Sequence, residues 1–152
     1  MSWWGRLLGG KSTNGPSPRR VDYLNEAMAL ERQGDFEAAL TSYRLAQRDH
    51  PNDASILVNI AIAYSKTGRL EDAIRSYRRA LDLAPQQSGA HYGLSFLLLK
   101  RGDRAGATTH LQAFLDASPT GEGMSQWVQH AQQTLEKLRG DAGGGAAPGV
   151  AQ

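Results

Sequence analysis

Residues 68–85, GRLEDAIRSYRRALDLAP, decide the fold because related copies precede and follow them at the same spacing. The earlier copy is GDFEAALTSYRLAQRDHP, residues 34–51, and the later copy is GDRAGATTHLQAFLDASP, residues 102–119. Each copy begins with glycine, carries alanine at its sixth position and ends with proline. A fixed period of about 34 residues is the signature of a protein built from stacked repeats.

The agreement between the copies extends over several columns of the repeat. The strictest columns are Gly34, Gly68 and Gly102, then Ala39, Ala73 and Ala107, then Pro51, Pro85 and Pro119. Looser columns are Tyr43, Tyr77 and Leu111, then Ala46, Ala80 and Phe114, then Ala27, Ala61 and Ser95. The middle copy keeps the pattern best, and the first and third copies depart from it at a few positions.

Each repeat predicts two helices joined by a short turn. Apolar residues recur at spacings of three and four on both sides of each repeated glycine, which is typical of amphipathic helices. The glycine can adopt a positive φ at the end of the first helix, and Asp35 and Asp103 are natural N-caps for the second. Small residues such as Ala39 and Ala73 let the paired helices approach closely, while tyrosines fill the gaps.

These marks resemble the tetratricopeptide repeat family, and the resemblance covers residues 20–121. It implies an all-α, right-handed α-solenoid of three helix-turn-helix units, which are residues 20–53, 54–87 and 88–121. Two positions depart from the family pattern. Glu26 stands where leucine is usual, and Phe114 replaces a small residue, which weakens the expectation of tight packing in the third unit.

A capping helix is predicted after the third unit, over residues 122–139. Its apolar stripe consists of Met124, Trp127, Val128, Ala131, Leu135 and Leu138. Stacked repeats need such a cap because the last unit otherwise exposes an apolar face. We expect Gly140 to end this helix, and the glycine- and alanine-rich composition predicts a flexible tail over residues 140–152.

The resemblance also implies where a partner binds. In the family, the first helices of successive units line a concave groove and the second helices form the convex back. Carried across position by position, the groove residues are Leu24, Asn25, Met28, Ser55, Val58, Asn59, Ile62, Gly89, Tyr92, Gly93 and Phe96. This surface is mostly apolar, so we expect it to bind a peptide or a helix of another protein. The alternative is that some of these side chains pack against neighbouring repeats.

Two asparagines occupy matching positions in this groove. An amide at Asn25 or Asn59 can donate to and accept from a peptide backbone, although a solvated surface amide is the alternative. The subclass of the family that grips chaperone C-termini uses a clamp of Lys, Arg and Asn. Leu24 and Met28 replace the first pair of that clamp and glycines replace the last, so we do not expect that activity.

Residues 1–19 form an arm that is basic and aromatic. The arm matches the pattern of a nucleotide-binding loop at Gly5, Gly10, Lys11 and Ser12. The segment before Gly5 is too short for the buried strand that such a loop requires, and prolines interrupt the helix that should follow. We therefore expect no nucleotide.

The arm has a second possible role. On a helix, its apolar side chains Trp3, Trp4, Leu7 and Leu8 share one face; Arg6 lies away from that face, and Lys11 follows the helix. Three interpretations remain open: a disordered arm, an anchor on an anionic membrane surface, or a short helix that docks in an apolar groove. The alternative to an adaptor is therefore a peripheral membrane scaffold that self-associates through its repeats.

Charge and length limit the other classes of function. Residues 1–20 hold four of the 17 basic residues and no acidic one, leaving 17 − 4 = 13 basic residues beside all 15 acidic ones. No transmembrane span and no secretory signal are evident, so a cytoplasmic location is expected. Arginines on the second helices are interspersed with acids, as on a solvated face, and we expect no nucleic acid there. They are Arg44, Arg48, Arg75, Arg78 and Arg79.

Chemistry-bearing residues are sparse. The chain has no cysteine, and its four histidines show no metal-ligand spacing; they are His50, His91, His110 and His130. No serine, histidine and acid are placed together by the predicted fold. We therefore expect neither a cofactor nor a metal nor an enzymatic activity.

Overall fold

The computed structural model describes residues 22–117 and 119–144. This part of the chain forms seven α-helices and no strand, which confirms the predicted all-α class. The helices are α1 (Tyr23–Arg32), α2 (Phe36–Asp49), α3 (Ala54–Lys66), α4 (Leu70–Leu83), α5 (Ser88–Arg101), α6 (Arg104–Asp116) and α7 (Met124–Gly143). None of these helices combines the length and the apolar character that crossing a membrane requires.

The helices pack in sequence order. Helices α1 and α2, α3 and α4, and α5 and α6 form three hairpins, and each of α2 and α4 also packs against the first helix of the next hairpin. Helix α7 packs against α6 in the same way. The result is a helical solenoid of three repeats with one additional helix at its C-terminal end, as predicted.

The same turn joins the two helices of every repeat. Gly34, Gly68 and Gly102 have φ angles of 79°, 76° and 90°. The residue after each glycine donates its backbone N–H to the carbonyl five positions earlier, at distances of 3.0, 2.8 and 2.8 Å. This is the Schellman arrangement, in which glycine adopts a left-handed conformation without the strain that a side chain causes. The glycine column therefore sets the hairpin geometry.

Aspartates cap four of the helices. The side chains of Asp35 and Asp103 accept backbone N–H groups of α2 and α6, which confirms both predicted N-caps. Asp22 and Asp53 do the same for α1 and α3. These caps fix where each helix begins, because they satisfy N–H groups that have no partner within the helix.

The core consists of two clusters of buried side chains. The larger one extends from α1 into α6, and its alanines are fully buried where the helices cross, as at Ala39 and Ala73. The smaller one joins α6 to α7 and contains Leu111, Phe114, Ala131, Leu135 and Leu138. The close helix approach predicted from the alanine columns is therefore present.

The two departures from the repeat pattern have different outcomes. Phe114 is 1% exposed, so the weaker packing expected in the third repeat is wrong: its ring fills the space between α6 and α7. Glu26 is exposed, and its carboxylate accepts a hydrogen bond from Ser42 Oγ at 3.0 Å. An acid replaces the usual leucine here because the position lies at the solvent boundary.

Helix α7 is longer than predicted. It continues through Gly140 to Gly143, so the expected stop at Gly140 is wrong. A helical glycine costs only about 1 kcal/mol relative to alanine. An ion pair between Asp141 and Arg104 at 2.9 Å connects this extra turn to α6. The tail beyond Gly144 lies outside the described residues.

The apolar stripe of α7 is only partly buried. Ala131, Leu135 and Leu138 are buried, whereas Trp127 is 45% exposed. Met124 and Val128 are half-buried and pack against the smaller core cluster. The helix therefore caps the third repeat mainly through its central turns.

Candidate peptide-binding site

A cavity lies on the surface that the first helices α1 and α3 form, and Phe36 and Tyr43 of the second helix α2 also line it. We call this surface, together with the corresponding side of α5, the first-helix face. The cavity has a volume of about 350 Å³. The side chains around it are Met28, Glu31, Arg32, Phe36, Tyr43, Asn59 and Lys66. Met28 is 40% exposed, which makes it one of the few large apolar side chains here that solvent reaches. The cavity thus combines an apolar surface with charged and amide groups.

The two matching asparagines differ in their surroundings. The Asn25 side-chain amide donates to Asp22 Oδ2 at 2.6 Å, and its backbone N–H donates to Asp22 Oδ1 at 3.1 Å. Asn25 is therefore part of the N-terminal cap of α1. Asn59 is half-buried and lines the cavity. Only Asn59 has the location that the peptide-binding prediction requires.

Tyr43 and Glu31 interact beside the cavity. The Tyr43 hydroxyl donates a hydrogen bond to Glu31 Oε2. Burial raises the pKa of Tyr43 above its usual range, and the hydrogen bond to Glu31 raises that pKa further. The positive charges of Arg32 and Lys66 lie around the same cavity as the Glu31 carboxylate. That carboxylate already accepts a hydrogen bond from Tyr43.

A row of cations was missed by the sequence analysis. Arg32, Lys66 and Lys100 each lie two positions before a turn glycine, in the last turns of α1, α3 and α5. All three are exposed. Within residues 22–117 and 119–144, the ion pairs involve other cations. The 34-residue register that aligns the turn glycines also aligns these three cations.

Three of the predicted apolar groove residues pack mainly inward. Leu24, Val58 and Ile62 are half-buried and contact the larger core cluster. Packing between repeats therefore accounts for much of their apolar surface. Met28 is the predicted apolar groove residue of the first two repeats that is most exposed.

Helix α7 covers the corresponding surface of the third repeat. The Tyr92 hydroxyl and His130 Nδ1 lie 2.6 Å apart, and the Tyr92 ring contacts Trp127 edge-on at 5.1 Å. Phe96 stacks on His130, with centroids 4.8 Å apart and planes at 4°. Tyr92 and Phe96 are half-buried against the smaller core cluster. The hydroxyl and ring of Tyr92 therefore connect α5 to α7, which is the packing alternative left open for the groove residues.

The glycines of α5 have distinct roles. A Cβ added at Gly93 would collide with the ring and hydroxyl of Tyr77, which is buried against this helix. A Cβ at Gly89 would meet no atom within 4 Å. The close approach of α4 and α5 thus requires glycine at position 93. Gly89 leaves open space on the first-helix face. Ser55 of α3 is also exposed on that face.

The second helices carry arginines that interact with the protein itself. Arg44 donates to the Tyr64 hydroxyl and lies 5.6 Å from the centre of that ring. Arg75 pairs with Asp72 at 2.5 Å, and its hydrogen bond is the main reason that the pKa of Asp72 lies below its usual range. The remaining arginines of this set, Arg48, Arg78 and Arg79, are exposed.

Two histidines meet although no spacing in the sequence pairs them. His91 Nδ1 and His110 Nδ1 are 3.0 Å apart, across α5 and α6. No group of three or more potential metal ligands occurs among residues 22–117 and 119–144. The contact was missed because the two residues lie on different helices, so no spacing within one helix reveals it. Exposed His50 lies at the end of α2.

Comparison with known proteins agrees with this geometry. The profile of the tetratricopeptide repeat family matches residues 24–88 and 58–122, most of the helical stack. The chain belongs to the tetratricopeptide repeat family. No curated protein sequence is similar enough to count as a relative of this tetratricopeptide repeat chain.

Several solved tetratricopeptide repeat structures share its fold. The type III secretion chaperone SycD of Yersinia enterocolitica, in complex with a peptide of the translocator YopD, has a TM-score of 0.74 at 15% identity, covering 79% of this chain and 92% of SycD. The second such domain of human RPAP3, in complex with an HSP70 peptide, has a TM-score of 0.65 at 20% identity, covering 77% and 92%. The Sgt2 domain of Aspergillus fumigatus has a TM-score of 0.67 at 23% identity, covering 90% and 89%.

The predicted arm is not part of this description. Trp3, Trp4, Leu7 and Leu8, with Arg6 and Lys11, lie outside the described residues, and so does the loop pattern from Gly5 to Ser12. The site that the tetratricopeptide repeats present is therefore the first-helix face, and its open part is the cavity between α1 and α3.

Proposed function

We propose that the chain is a non-enzymatic adaptor that binds a peptide or helix of another protein on its first-helix face. The observation that carries the proposal is the cavity beside Met28 and Asn59. An exposed methionine adapts its shape to an apolar partner, and an amide beside it can bond a partner's backbone. Solved structures with the same fold that hold peptides, among them SycD with a YopD peptide, support the proposal.

The location of the cavity narrows where a partner binds. Helix α7 contacts Tyr92 and Phe96 on the third repeat's first helix, whereas the cavity beside α1 and α3 is open. We infer that the partner's main apolar side chain contacts the first two repeats. Val58 and Ile62 contribute the edges that remain exposed after packing against the core.

Selection of random peptides displayed on phage tests this function with the full chain as target. Peptides that bind are synthesised, and their dissociation constants are measured by titration calorimetry against the native chain and two variants, Met28→Ala and Asn59→Ala. We expect each variant to weaken binding roughly 5- to 30-fold, the effect of losing about 1–2 kcal/mol of contact. Melting temperatures should change little because both residues border solvent.

Leu83→Ala is the matched control for Met28→Ala. Leu83 is 43% exposed, close to the 40% of Met28, but it lies at the end of the second helix α4. Binding should be unaffected by the Leu83 change. If selected peptides bind all variants equally, the first-helix face is not the binding surface and the proposal fails.

The membrane alternative depends on the arm and has no specific structural observation in its favour among residues 22–117 and 119–144. The arm residues Trp3 and Trp4 lie outside that part. Sedimentation with anionic liposomes, using the full chain and a chain lacking residues 2–10, tests the alternative directly. If the full chain binds liposomes and the chain lacking residues 2–10 does not, the result supports the membrane alternative.

A further inference from the structure

Two parallel rows of side chains run along the first-helix face. The apolar row is Met28, Ile62 and Phe96, and the cationic row is Arg32, Lys66 and Lys100. Members of each row are one repeat apart, and each cation follows an apolar residue by four positions in the same helix. Residues four apart lie on the same side of an α-helix, one turn from each other. Every first helix therefore carries an apolar residue one turn before a cation; Met28 is exposed, whereas Ile62 and Phe96 are half-buried.

The cavity brings the two rows together in the first two repeats. Met28 and Arg32 from α1 and Lys66 from α3 line the same space, together with Asn59. The acid among the lining residues, Glu31, accepts a hydrogen bond from Tyr43. The ion pairs within residues 22–117 and 119–144 use other cations, so the charged row is complementary to an acidic partner.

The spacing of the rows sets the form of that partner. Helices that pack against each other lie about 8–10 Å apart, and α3 contacts α5 directly. A polyproline II chain rises about 3.1 Å per residue with three residues per turn, so every third side chain lies on one side at intervals of about 9 Å. Side chains three positions apart can therefore reach both α3 and α5, and we expect the same step from α1 to α3 because the repeats share one register.

We propose that the first-helix face recognises an extended segment of another protein in which an apolar residue followed by an acidic side chain recurs at every third position. The apolar side chains contact Met28 and the exposed edge of Ile62, and the carboxylates contact the Arg32 row. This inference rests on the proposed function and specifies its partner. The cations do not occupy the positions at which related domains clamp a terminal carboxylate: Leu24 and Met28 occupy the first pair of those positions, and Arg32 lies one helical turn beyond Met28.

The cationic row has another potential role. Arg32, Lys66 and Lys100 lie in the last turns of their helices, where a positive charge complements the helix dipole. That role contributes to stability and makes no distinction between peptides. A preference for acidic peptides that disappears with the cations, at unchanged melting temperature, separates recognition from dipole stabilisation.

The test uses fluorescein-labelled nonapeptides of three Leu-Glu-Pro units, amidated at the C-terminus so that no terminal carboxylate is present. Matched peptides carry Gln or Lys in place of Glu, and a fourth has the same composition with the three Glu residues adjacent. Dissociation constants for the full chain are measured by fluorescence anisotropy. We expect the regular Glu peptide to bind most tightly, and its advantage to shrink as salt is added because exposed charges are screened.

Charge removal then identifies the residues. Arg32→Gln, Lys66→Gln and Lys100→Gln should each weaken binding of the Glu peptide roughly two- to five-fold, the range for exposed ion pairs, while leaving the Gln peptide unchanged. The control combines Arg48→Gln, Arg79→Gln and Lys137→Gln, which remove three exposed charges from α2, α4 and α7. A second triple variant combines Arg32→Gln, Lys66→Gln and Lys100→Gln and has the same net charge as the control. The control should retain the preference for the Glu peptide over the Gln peptide.

The outcomes distinguish the two proposals. Equal affinity for the Glu and Gln peptides overturns the inference, and so does binding of none of the four. The proposed adaptor function still stands in either case if phage-selected peptides bind and Met28→Ala weakens them. The Glu peptide is also made with a free C-terminal carboxylate. If this form binds better than the amidated form, the cations bind a chain terminus, and the inference is overturned.

Discussion

His91 and His110 form a directed hydrogen bond across the third repeat. His91 Nε2 lies 2.8 Å from the carbonyl oxygen of Pro85. A carbonyl oxygen can only accept, so this nitrogen carries a proton. In neutral His91 the Nδ1 atom is then an acceptor, and His110 Nδ1–H donates to it over 3.0 Å.

We expect acid to destabilise the protein through this pair. Burial lowers the pKa of His110, and the neighbouring His91 and Arg78 lower it further against a smaller effect of Asp103. An unfolded histidine has a pKa of about 6.5, so the unfolded chain takes up this proton first as the pH falls. The free energy of unfolding should therefore be constant above that pH and decline below it, toward the lower pKa of the folded state.

Urea unfolding followed by circular dichroism between about pH 7.5 and pH 5.5 measures this effect. His110→Asn replaces the imidazole with an amide that can still donate to His91 but does not titrate, so the decline should be shallower. The control is His50→Asn, at an exposed position at the end of α2. An identical pH dependence in native and His110→Asn chains would contradict the prediction.

Gly93→Ala should destabilise the chain by roughly 1–3 kcal/mol, because the new methyl group would overpack the interface. The new methyl group would contact Tyr77, which is 5% exposed. Tyr77 cannot move into solvent without opening the interface between α4 and α5. Gly89→Ala, four residues earlier in the same helix, should be neutral or stabilising by up to about 1 kcal/mol. Urea midpoints compare the two; changes of the same sign and size would show that packing at Tyr77 is not the cause.

Tyr92→Ala should lower the melting temperature, in contrast to Met28→Ala. The change removes ring contacts with Phe114 and Trp127. This loss should cost roughly 2–4 kcal/mol, less than for a fully buried aromatic residue. Tyr92→Phe removes only the hydroxyl that bonds His130, and the loss of one hydrogen bond should cost about 1 kcal/mol. Calorimetric melting of the variants checks this order. An unchanged melting temperature in Tyr92→Ala would return this residue to the set available to a partner.

Removal of residues 122–152 should loosen the third repeat selectively. Without α7, Leu111 and Phe114 lose their neighbours Ala131 and Leu135 and become exposed. Repeats contact chiefly their neighbours, so the disturbance should fade toward the N-terminal end. Hydrogen exchange should be faster in α5 and α6 than in the native chain, with α1 to α3 nearly unchanged. Gln132→Ala, an exposed change within α7, is the control, and uniform loss of protection would argue against stepwise stability.

The hairpins were predictable because their causes are local. A positive φ at Gly68 and an aspartate that caps the next helix, as at Asp35, depend on a few adjacent residues, and the register of the repeats recurs three times. The extent of α7 was not predictable in this way. Its last turn depends partly on the ion pair between Arg104 and Asp141, which are far apart in the sequence.

The sequence predicted which helices carry the candidate site, but it did not predict the contacts of each residue there. Tyr92 has the sequence environment of a groove residue, and only the angle at which α7 packs makes it a contact of Trp127 and His130. Asn25 has a local competitor, because Asp22 three residues earlier engages both its backbone and its amide. The cationic row required no structure to find, since its members follow the glycine register.

The covered third repeat gives the solenoid two unlike ends. Helix α7 lies where the first helix of a fourth unit would pack, and its contacts with Tyr92 and Phe96 use the side chains that such a helix would meet. A unit appended after Gly143 would therefore not pack on the third repeat, because α7 already occupies that surface. New units have to be inserted between Lys66 and Leu70 or at an equivalent earlier turn, as whole repeats, so that α5, α6 and α7 remain together as a terminal block.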